Sequence, residues 1–262
     1  MDFQVTLTHY LATFVELARK YDQTPRHCSE LEQVIDEYSK FVTNADNKLA
    51  WERLAPESFR ALNPIVVELR KLSSLCVAIM EKYRALKLQS GAIETADYFR
   101  NIEACIDKEF GSFQITSDSK LLLIGSGSFP MTPLLIAKRT GAEVVGIDID
   151  EEAVALGSQV VDKLGAGLNI RLEQTRVEEL DIVRDFTHII FSSTVAQKYD
   201  LLEQLHSLTN KDVVVSMRYG DGLKSLFNYP MREVGSRSWS LVDNILRPHD
   251  LFDIALYKKA AI

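Results

Sequence analysis

The chain has 262 residues, of which 46% are hydrophobic and 26% are charged, so it can bury one large core or two smaller ones. Its 30 basic and 37 acidic side chains give a net charge of −7, which argues against non-specific binding to nucleic acid. The three cysteines are dispersed and the five histidines lack metal-ligand spacing, so we expect no metal site. The chain has no apolar run long enough to span a bilayer and no secretory signal, which predicts a cytoplasmic protein with no membrane partner.

Apolar residues recur at helical spacing in the first part of the chain and predict a helical N-terminal domain over residues 1–116. The apolar stripes cover residues 7–18, 31–41, 62–79 and 98–106, which indicates about four to six helices. Asn63-Pro64 has the form of a helix start, because proline is tolerated in the first turn. We therefore expect the third helix to begin there.

Short apolar runs and amphipathic segments alternate from residue 117 onwards. Strands are predicted at residues 121–124, 143–148, 169–173, 187–192, 212–216, 237–245 and 254–258, and helices at 131–139, 151–164 and 197–208. A strand that is apolar throughout, such as Leu121-Leu122-Leu123-Ile124, is typical of a parallel sheet covered on both faces. The alternation predicts an α/β fold, with a Rossmann-like (class I methyltransferase-like), parallel-rich sheet in a second domain over residues 117–262.

A glycine pair opens the turn after the first predicted strand. Gly125-Ser126-Gly127 lets the backbone turn tightly and approach a ligand closely before the next helix begins. The dinucleotide fingerprint needs a third glycine where this chain has Pro130, so NAD is disfavoured as the ligand.

Asp148 ends the second predicted strand, about 20 residues after the glycines, where a carboxylate can accept hydrogen bonds from ribose hydroxyls. The alternative is that Gly127 only permits a turn and Asp148 caps the next helix, but Asp150 is already placed as that cap. The two signals together predict an adenosine-type ligand. Loop polarity alone also explains the hydroxyl residues that follow the later strands. The further ligand contacts that we expect at the strand ends are Ile149, Thr175, Arg176, Val177 and Ser192.

The segment around the glycines resembles one in a known family. Leu123-Ile124-Gly125-Ser126-Gly127-Ser128-Phe129-Pro130-Met131-Thr132 is similar to the V-G-S-G-P-L-P-L-T-S segment of the nicotianamine synthases. The match continues through Ala137-Lys138-Arg139 and Asp148-Ile149-Asp150, and it recurs at Met217-Arg218-Tyr219-Gly220-Asp221-Gly222 and Phe227-Asn228-Tyr229-Pro230. Length, acidity and architecture most resemble the short bacterial branch, which makes opine metallophores.

The resemblance implies a distinct use of S-adenosylmethionine as co-substrate. Enzymes of this family transfer its 3-amino-3-carboxypropyl arm (the aminobutanoyl group) to an amine and release 5′-methylthioadenosine. In the bacterial branch the acceptor is the α-amine of histidine, and the product passes to an opine dehydrogenase. A histidine of the family's L-R-S-A-H-G segment is replaced near Gly220-Asp221, which favours a single transfer to another amino acid. The chain is expected to act alone or as a homodimer.

The resemblance also implies site residues. The family's active-site glutamate matches Glu81 and its catalytic tyrosine matches Tyr98. Because Glu81 follows an apolar run, we expect a buried base with a raised pKa, and the alternative is a solvated residue near a helix end. The alternative is that Tyr98 is a core aromatic residue whose hydroxyl group reaches solvent. The acceptor pocket is expected between the two domains, at Phe129, Pro130, Met131, Thr132, Arg218, Tyr219 and Asp221.

Arg218 follows a predicted strand and has two interpretations, a bidentate clamp on a substrate carboxylate or a structural ion pair. Two other functions also stay open for the whole chain: a methyltransferase of a small molecule, and a Rossmann-like binding subunit without catalysis. Product analysis separates them, because a methyltransferase releases S-adenosylhomocysteine and a binding subunit turns nothing over.

Overall fold

The computed structural model describes residues 2–91, 109, 111 and 113–260 of the chain. The first part is helical, as predicted, and it consists of α1 (Phe3–Arg19), α2 (Cys28–Thr43), α3 (Ala45–Glu52) and α4 (Pro56–Gln89). The first three predicted apolar stripes share one core, in which Leu7, Phe14, Leu31, Tyr38 and Leu69 are almost completely buried. The fourth stripe, with Tyr98, lies outside the described residues.

Helix α4 begins earlier than the sequence suggested, so the predicted start at Asn63-Pro64 is wrong. The helix runs for 34 residues, with Pro56 in its first turn and Pro64 inside it. Proline deprives the carbonyl four residues earlier of its N–H partner. Because Pro64 lies on the exposed face, water can satisfy that carbonyl, and the helix continues through the proline.

Within the residues that the structure describes, seven strands form one sheet in the order β3-β2-β1-β4-β5-β7-β6. The first five are parallel, β7 is antiparallel to β5, and β6 is antiparallel to β7. The predicted α/β fold with a parallel-rich sheet is therefore confirmed, and the predicted strand ends agree with the observed ones to within three residues. The strands are β1 (Lys120–Ile124), β2 (Glu143–Asp148), β3 (Ile170–Gln174), β4 (His188–Phe191), β5 (Val214–Tyr219), β6 (Trp239–Ile245) and β7 (Asp253–Lys259).

Helices cover both faces of this sheet. They are α5 (Met131–Thr140), α6 (Glu151–Leu164) and α7 (Lys198–Leu208). Successive side chains of a strand point to opposite faces, so the apolar run of β1 divides between two cores. Leu121 and Leu123 pack with α5, whereas Leu122 and Ile124 pack with α7. A strand buried on both faces explains why the run has no polar positions.

Helix α4 joins the helical part to the sheet part. Its last turns, at Ala85 and Leu88, pack against Leu156 and Val160 of α6. The helical core also takes in apolar residues from the segment that follows β5, such as Leu226. The boundary between residues 116 and 117 stays a prediction, because apolar clusters cross it. Among the described helices, none combines the length and apolarity that crossing a membrane requires.

Candidate functional site

A cavity of about 610 Å³ lies between α4 and the carboxyl ends of β1 to β4. Its walls are the glycine turn after β1, the end of β2, residues 175–178 after β3, residues 192–197 after β4, and one face of α4. The order of the strands reverses between β1 and β4, and crevices at such points are where open α/β sheets bind their ligands. The cavity is therefore the natural position for the predicted nucleotide.

The glycine turn brings the backbone of the sheet part against α4. Gly127 has φ +66°, in the left-handed region that favours glycine. A Cβ atom at this position would lie 2.1 Å from Oε2 of Glu81, so no other residue fits beneath the carboxylate without displacing it. The N–H group of Gly127 donates to Oδ2 of Asp148 at 3.0 Å. The turn thus contacts both of the carboxylates that the sequence singled out.

Asp148 does not cap the following helix. Asp150 caps α6, with its Oδ1 accepting from the N–H of Ala153 at 3.2 Å. Asp148 instead accepts from two backbone N–H groups, those of Gly127 at 3.0 Å and Asp150 at 3.1 Å, and it lines the cavity. These two hydrogen bonds hold the carboxylate at the end of β2, where a ribose would lie.

Most of the predicted nucleotide contacts line this cavity. Ile149 is 74% exposed there, and an apolar side chain on the rim offers a surface that a base can cover. Ser126 is the exception, because its side chain is buried on the far side of the turn, and a Cβ atom at Gly146 would meet it at 2.8 Å. The predicted residues that do line the cavity are Gly125, Gly127, Asp148, Ile149, Thr175, Arg176, Val177 and Ser192.

Glu81 reaches the cavity from α4. The backbone N–H groups of Ser128 and Phe129 donate hydrogen bonds to its carboxylate, and these bonds favour the charged form. Burial acts more strongly in the opposite direction and, with the nearby charge of Asp148, raises the pKa of Glu81 to about 8. Glu81 is thus half-buried with a raised pKa, and it does not stand at the end of its helix, because α4 continues to Gln89. Its role as the base stays a prediction.

The electrostatics of the cavity favour a ligand with positive charge. Among the described residues that line it, Glu81, Asp148, Asp150 and Glu178 are acidic, whereas Arg176 is basic. Lys82 neutralises Asp150, and a pKa of about 8 leaves Glu81 largely protonated at neutral pH, so the excess of negative charge rests on Asp148 and Glu178. A sulfonium or ammonium ion would be attracted by this excess of acidic groups. Within the described ranges, His, Cys, Asp and Glu side chains form no group of three or more that could hold a metal ion.

None of the seven predicted acceptor residues is among the described residues that line this cavity. Arg218 makes a buried bidentate ion pair with Glu109, at 2.7 and 2.5 Å, and also donates to Oγ1 of Thr132 at 3.2 Å. The hydroxyl of Tyr219 donates to Asn244 at 2.7 Å. Asp221 accepts from the N–H of Met231 at 2.9 Å. Arg218 thus has the structural ion pair that was one of its two interpretations.

Phe129 contributes its backbone N–H to Glu81, and Pro130 and Met131 stand at the start of α5. Tyr98, the second predicted catalytic residue, lies outside the described residues. The acceptor roles of these residues and the catalytic role of Tyr98 stay predictions.

Sequence reasoning missed the face of α4 that forms one wall of the cavity. Ser74, Val77 and Ala78 line it together with Glu81. They precede Glu81 by seven, four and three residues, the spacing that places side chains on one helix face. Two of the three are small, and helical periodicity counted back from Glu81 would have identified them.

Comparisons with known proteins agree with this geometry. The profile of a family described as nicotianamine synthase protein matches residues 26–251. An L-histidine 2-aminobutanoyltransferase of Yersinia pestis is 30% identical over 226 residues, which cover 86% of this chain and 84% of that protein. A protein of the same name from Pseudomonas aeruginosa (strain UCBPP-PA14) is 27% identical over 231 residues, covering 88% and 86%.

Solved structures show the same fold. A crystal structure of MtNAS in complex with MTA and tNA has a TM-score of 0.77 and 14% identity, and covers 100% of this chain and 99% of the other. A mutant of MtNAS in complex with S-adenosylmethionine has a TM-score of 0.74 and 13% identity, covering 96% and 98%. Since the family profile spans most of the sequence and the fold agrees over its whole length, the chain belongs to the nicotianamine synthase family.

Proposed function

We propose that this protein transfers the aminobutanoyl arm of S-adenosylmethionine to the α-amine of histidine and releases 5′-methylthioadenosine. The observation that carries the proposal is the position of Glu81, a carboxylate with a raised pKa that is held against the glycine turn of a nucleotide cavity. Membership of the family and relatives named L-histidine 2-aminobutanoyltransferase supply the reaction and the acceptor.

The cavity divides into a nucleotide end and a reacting end. Asp148 binds the ribose hydroxyls, and the N–H groups and side chains of residues 175–177 together with Ile149 surround the base. This leaves the sulfonium and its arm on the side of the glycine turn, next to Glu81. The excess of carboxylates in the cavity stabilises the positive charge of the sulfonium.

In the transfer step, the nitrogen of the α-amine attacks the arm carbon that is bonded to sulfur. A carbon–nitrogen bond forms, the carbon–sulfur bond breaks, and its electron pair stays on sulfur, which becomes the neutral thioether of 5′-methylthioadenosine. Glu81 takes the proton that the amine loses, and a carboxylate with a pKa near 8 is well matched to that task close to neutral pH. Tyr98 assists by orienting the amine.

Three carbons of the sulfonium are open to attack, and the one that reacts is the one held in line with the nucleophile. Glu81 lies on the same side of the cavity as the glycine turn, so an amine that donates to it is directed toward the arm. This placement favours arm transfer over methyl transfer.

The test is incubation of the purified protein with S-adenosylmethionine and a panel of amino acids, followed by mass spectrometry. We expect 5′-methylthioadenosine in equal amount to a product with the mass of histidine plus one aminobutanoyl unit. S-adenosylhomocysteine with a methylated product would replace the proposal with a methyltransferase. Absence of turnover with every amine would leave a binding subunit.

The remaining parts of the proposal concern the surroundings of the reaction. The product is a secondary amine that passes to an opine dehydrogenase, the reaction is cytoplasmic, and the protein acts as a monomer or a homodimer. A coupled assay checks the first point, because nicotinamide oxidation by an opine dehydrogenase should then depend on this protein, S-adenosylmethionine and histidine together. Light scattering in solution determines the oligomeric state.

A further inference from the structure

Lys82 follows Glu81 on α4 and is nearly buried, with 8% of its surface exposed. Its ammonium group lies 2.7 Å from Oδ2 of Asp150 and 2.6 Å from Oε2 of Glu152, at the first turn of α6. The hydroxyl of Tyr21, in the segment that follows α1, donates to the other oxygen of Glu152 at 2.5 Å, and the centre of its ring lies 5.7 Å from the ammonium group. The start of α6 and the segment after α1 therefore meet α4 at one buried cation beside the nucleotide cavity.

These contacts close a ring around the reacting end of the cavity. Lys82 binds Asp150, whose N–H donates to Oδ1 of Asp148 at 3.1 Å. The other oxygen of Asp148 accepts from Gly127 at 3.0 Å, and the next two N–H groups of the glycine turn donate to Glu81. The ring then returns to Lys82 along the backbone of α4. Through hydrogen bonds and one ion pair, this ring of contacts connects Glu81, the base, to Asp148, the carboxylate that binds the ribose.

The cation in this ring keeps its charge at every working pH. Burial acts against the charge of Lys82, but hydrogen bonds to Asp150 and Glu152 outweigh it and raise the pKa of the ammonium group. At Asp150 burial alone would raise the pKa, but the hydrogen bond and charge of Lys82, together with the backbone N–H groups of Ala153 and Glu152, outweigh burial and lower it. Lys82 therefore connects α4 to the start of α6 by ion pairs, and we call this connection the tie.

We propose that Lys82 is a positioning residue of the transfer reaction, which sets the place of Glu81 relative to the bound nucleotide by tying α4 to Asp150. This inference rests on the proposed function, in which Glu81 is the base. Lys82 does not need to touch either substrate. Loss of this ion pair leaves α4 packed through apolar contacts, on α6 at its last turns and in the helical core at Met80 and Tyr83, but it removes the polar contact that sets the distance between Glu81 and Asp150.

The chain offers a matched control at the other end of the same pair of helices. Lys163 of α6 donates to the carbonyls of Leu88 at 2.8 Å and Gln89 at 3.2 Å, at the end of α4. Lys163→Met removes a lysine contact between α6 and α4, as Lys82→Met does, but away from the cavity. The comparison separates the loss of a helix–helix contact from the loss of the position of Glu81.

The first measurement is whether the wild-type protein forms 5′-methylthioadenosine with histidine. If it does not, the proposed function is wrong, and this result is distinct from a failure of the Lys82 inference, which is measured on an active protein. Given turnover, Lys82→Met should lower kcat per folded protein about 10- to 100-fold, as expected of a base displaced by a fraction of an ångström to an ångström. Binding of 5′-methylthioadenosine, measured by calorimetry, should change by less than about threefold, because Asp148 keeps both of its backbone donors. Lys163→Met should leave kcat within about twofold.

Two further variants keep the inference testable if Lys82→Met is poorly folded. Lys82→Arg retains the cation and should recover most of the lost kcat. Asp150→Asn retains a good helix cap but removes the ion pair, and it should lower kcat in the same direction. When it is combined with Lys82→Met, the two losses should not multiply, because both changes break the same tie. The inference is overturned if Lys82→Met matches Lys163→Met in kcat, or if the losses from Lys82→Met and Asp150→Asn multiply fully.

Discussion

Replacing Glu81 with glutamine keeps the size of the side chain and removes its ability to accept the proton of the amine. General-base catalysis contributes about 10²–10⁴-fold, so the rate at high pH should fall by that factor. The nucleotide contacts come from the ends of the strands, so the affinity for 5′-methylthioadenosine, which lacks the sulfonium charge, should change little. The loss should persist at saturating histidine, as expected for a chemical step.

The raised pKa of Glu81 adds a quantitative signature. With a pKa of about 8, the carboxylate is ionised in about 1% of molecules at pH 6, in about half at pH 8 and in about 90% at pH 9. A carboxyl group whose pKa is raised is protonated, and inactive as a base, below that pKa. The ratio of wild-type to Glu81→Gln rates should therefore grow roughly 100-fold between pH 6 and pH 9.

The assay measures initial rates of 5′-methylthioadenosine formation across this range at constant ionic strength. The amine of histidine also titrates here, but it does so equally for both proteins, so its contribution cancels in the ratio. The quantity to compare is kcat/KM for S-adenosylmethionine, which reports the free enzyme. In kcat the rise should occur at lower pH, because a bound sulfonium stabilises the ionised carboxylate.

A matched control is Glu68→Gln, the same change on the exposed face of the same helix. Its rate ratio should stay near one at every pH. A wild-type to Glu81→Gln ratio that is large but independent of pH would refute the raised pKa. A ratio within about twofold throughout would remove Glu81 from the mechanism and leave Tyr98 as the residue to test.

Three other substitutions test the remaining contacts of the site. Asp148→Ala should weaken binding of 5′-methylthioadenosine by about 1–3 kcal/mol through unpaired ribose hydroxyls, and an unchanged affinity by calorimetry would place the ribose elsewhere. Gly127→Ala should greatly reduce turnover, because its Cβ atom would meet the carboxylate of Glu81 at 2.1 Å. The control is Gly167→Ala, also at positive φ but with no neighbour within 4 Å, which should lose stability and keep its turnover per folded protein. Arg218→Met should lower the free energy of unfolding by about 3–5 kcal/mol, since it leaves Glu109 buried without its cation, and a loss below about 1 kcal/mol in chemical denaturation would contradict the buried pair.

The sheet was predictable because its determinants are local. Apolar runs such as 121–124 need no knowledge of distant residues, and the order of strands and helices limits a parallel sheet to few arrangements. The start of α4 was not predictable from Pro64. A proline can lie inside a helix, and need not start one, when the carbonyl four residues earlier can bind water, and the dipeptide does not reveal this. The exposure of that carbonyl is a property of the packed helix and not of the dipeptide.

The nucleotide side of the site was also predictable, because residues that follow parallel strands must meet at one edge of the sheet. Family resemblance pointed to Glu81 as an active-site residue, and the apolar run before it predicted its raised pKa, but the size of that shift depends on the glycine turn packed against it. No sequence pattern indicated the role of Lys82, because both of its anionic partners, Asp150 and Glu152, lie far along the chain, Glu152 by 70 residues. The sequence also left both interpretations of Arg218 open, because its ion-pair partner Glu109 is 109 residues away along the chain.

The order of strands at one edge of the sheet has a consequence for how the protein is made. Among the described strands, β6 pairs only with β7, yet β7 comes later in the chain and lies between β5 and β6. A chain emerging from the ribosome can complete β1 to β5 in sequence, but β6 then has no strand to join until residues 253–259 have left the exit tunnel. During that interval β5 presents an unpaired edge, which is a template for intermolecular pairing. The hairpin of β6 and β7 therefore closes the sheet as its last step, and substitutions that delay this closure should lower the yield of folded protein more than they lower its stability once folded.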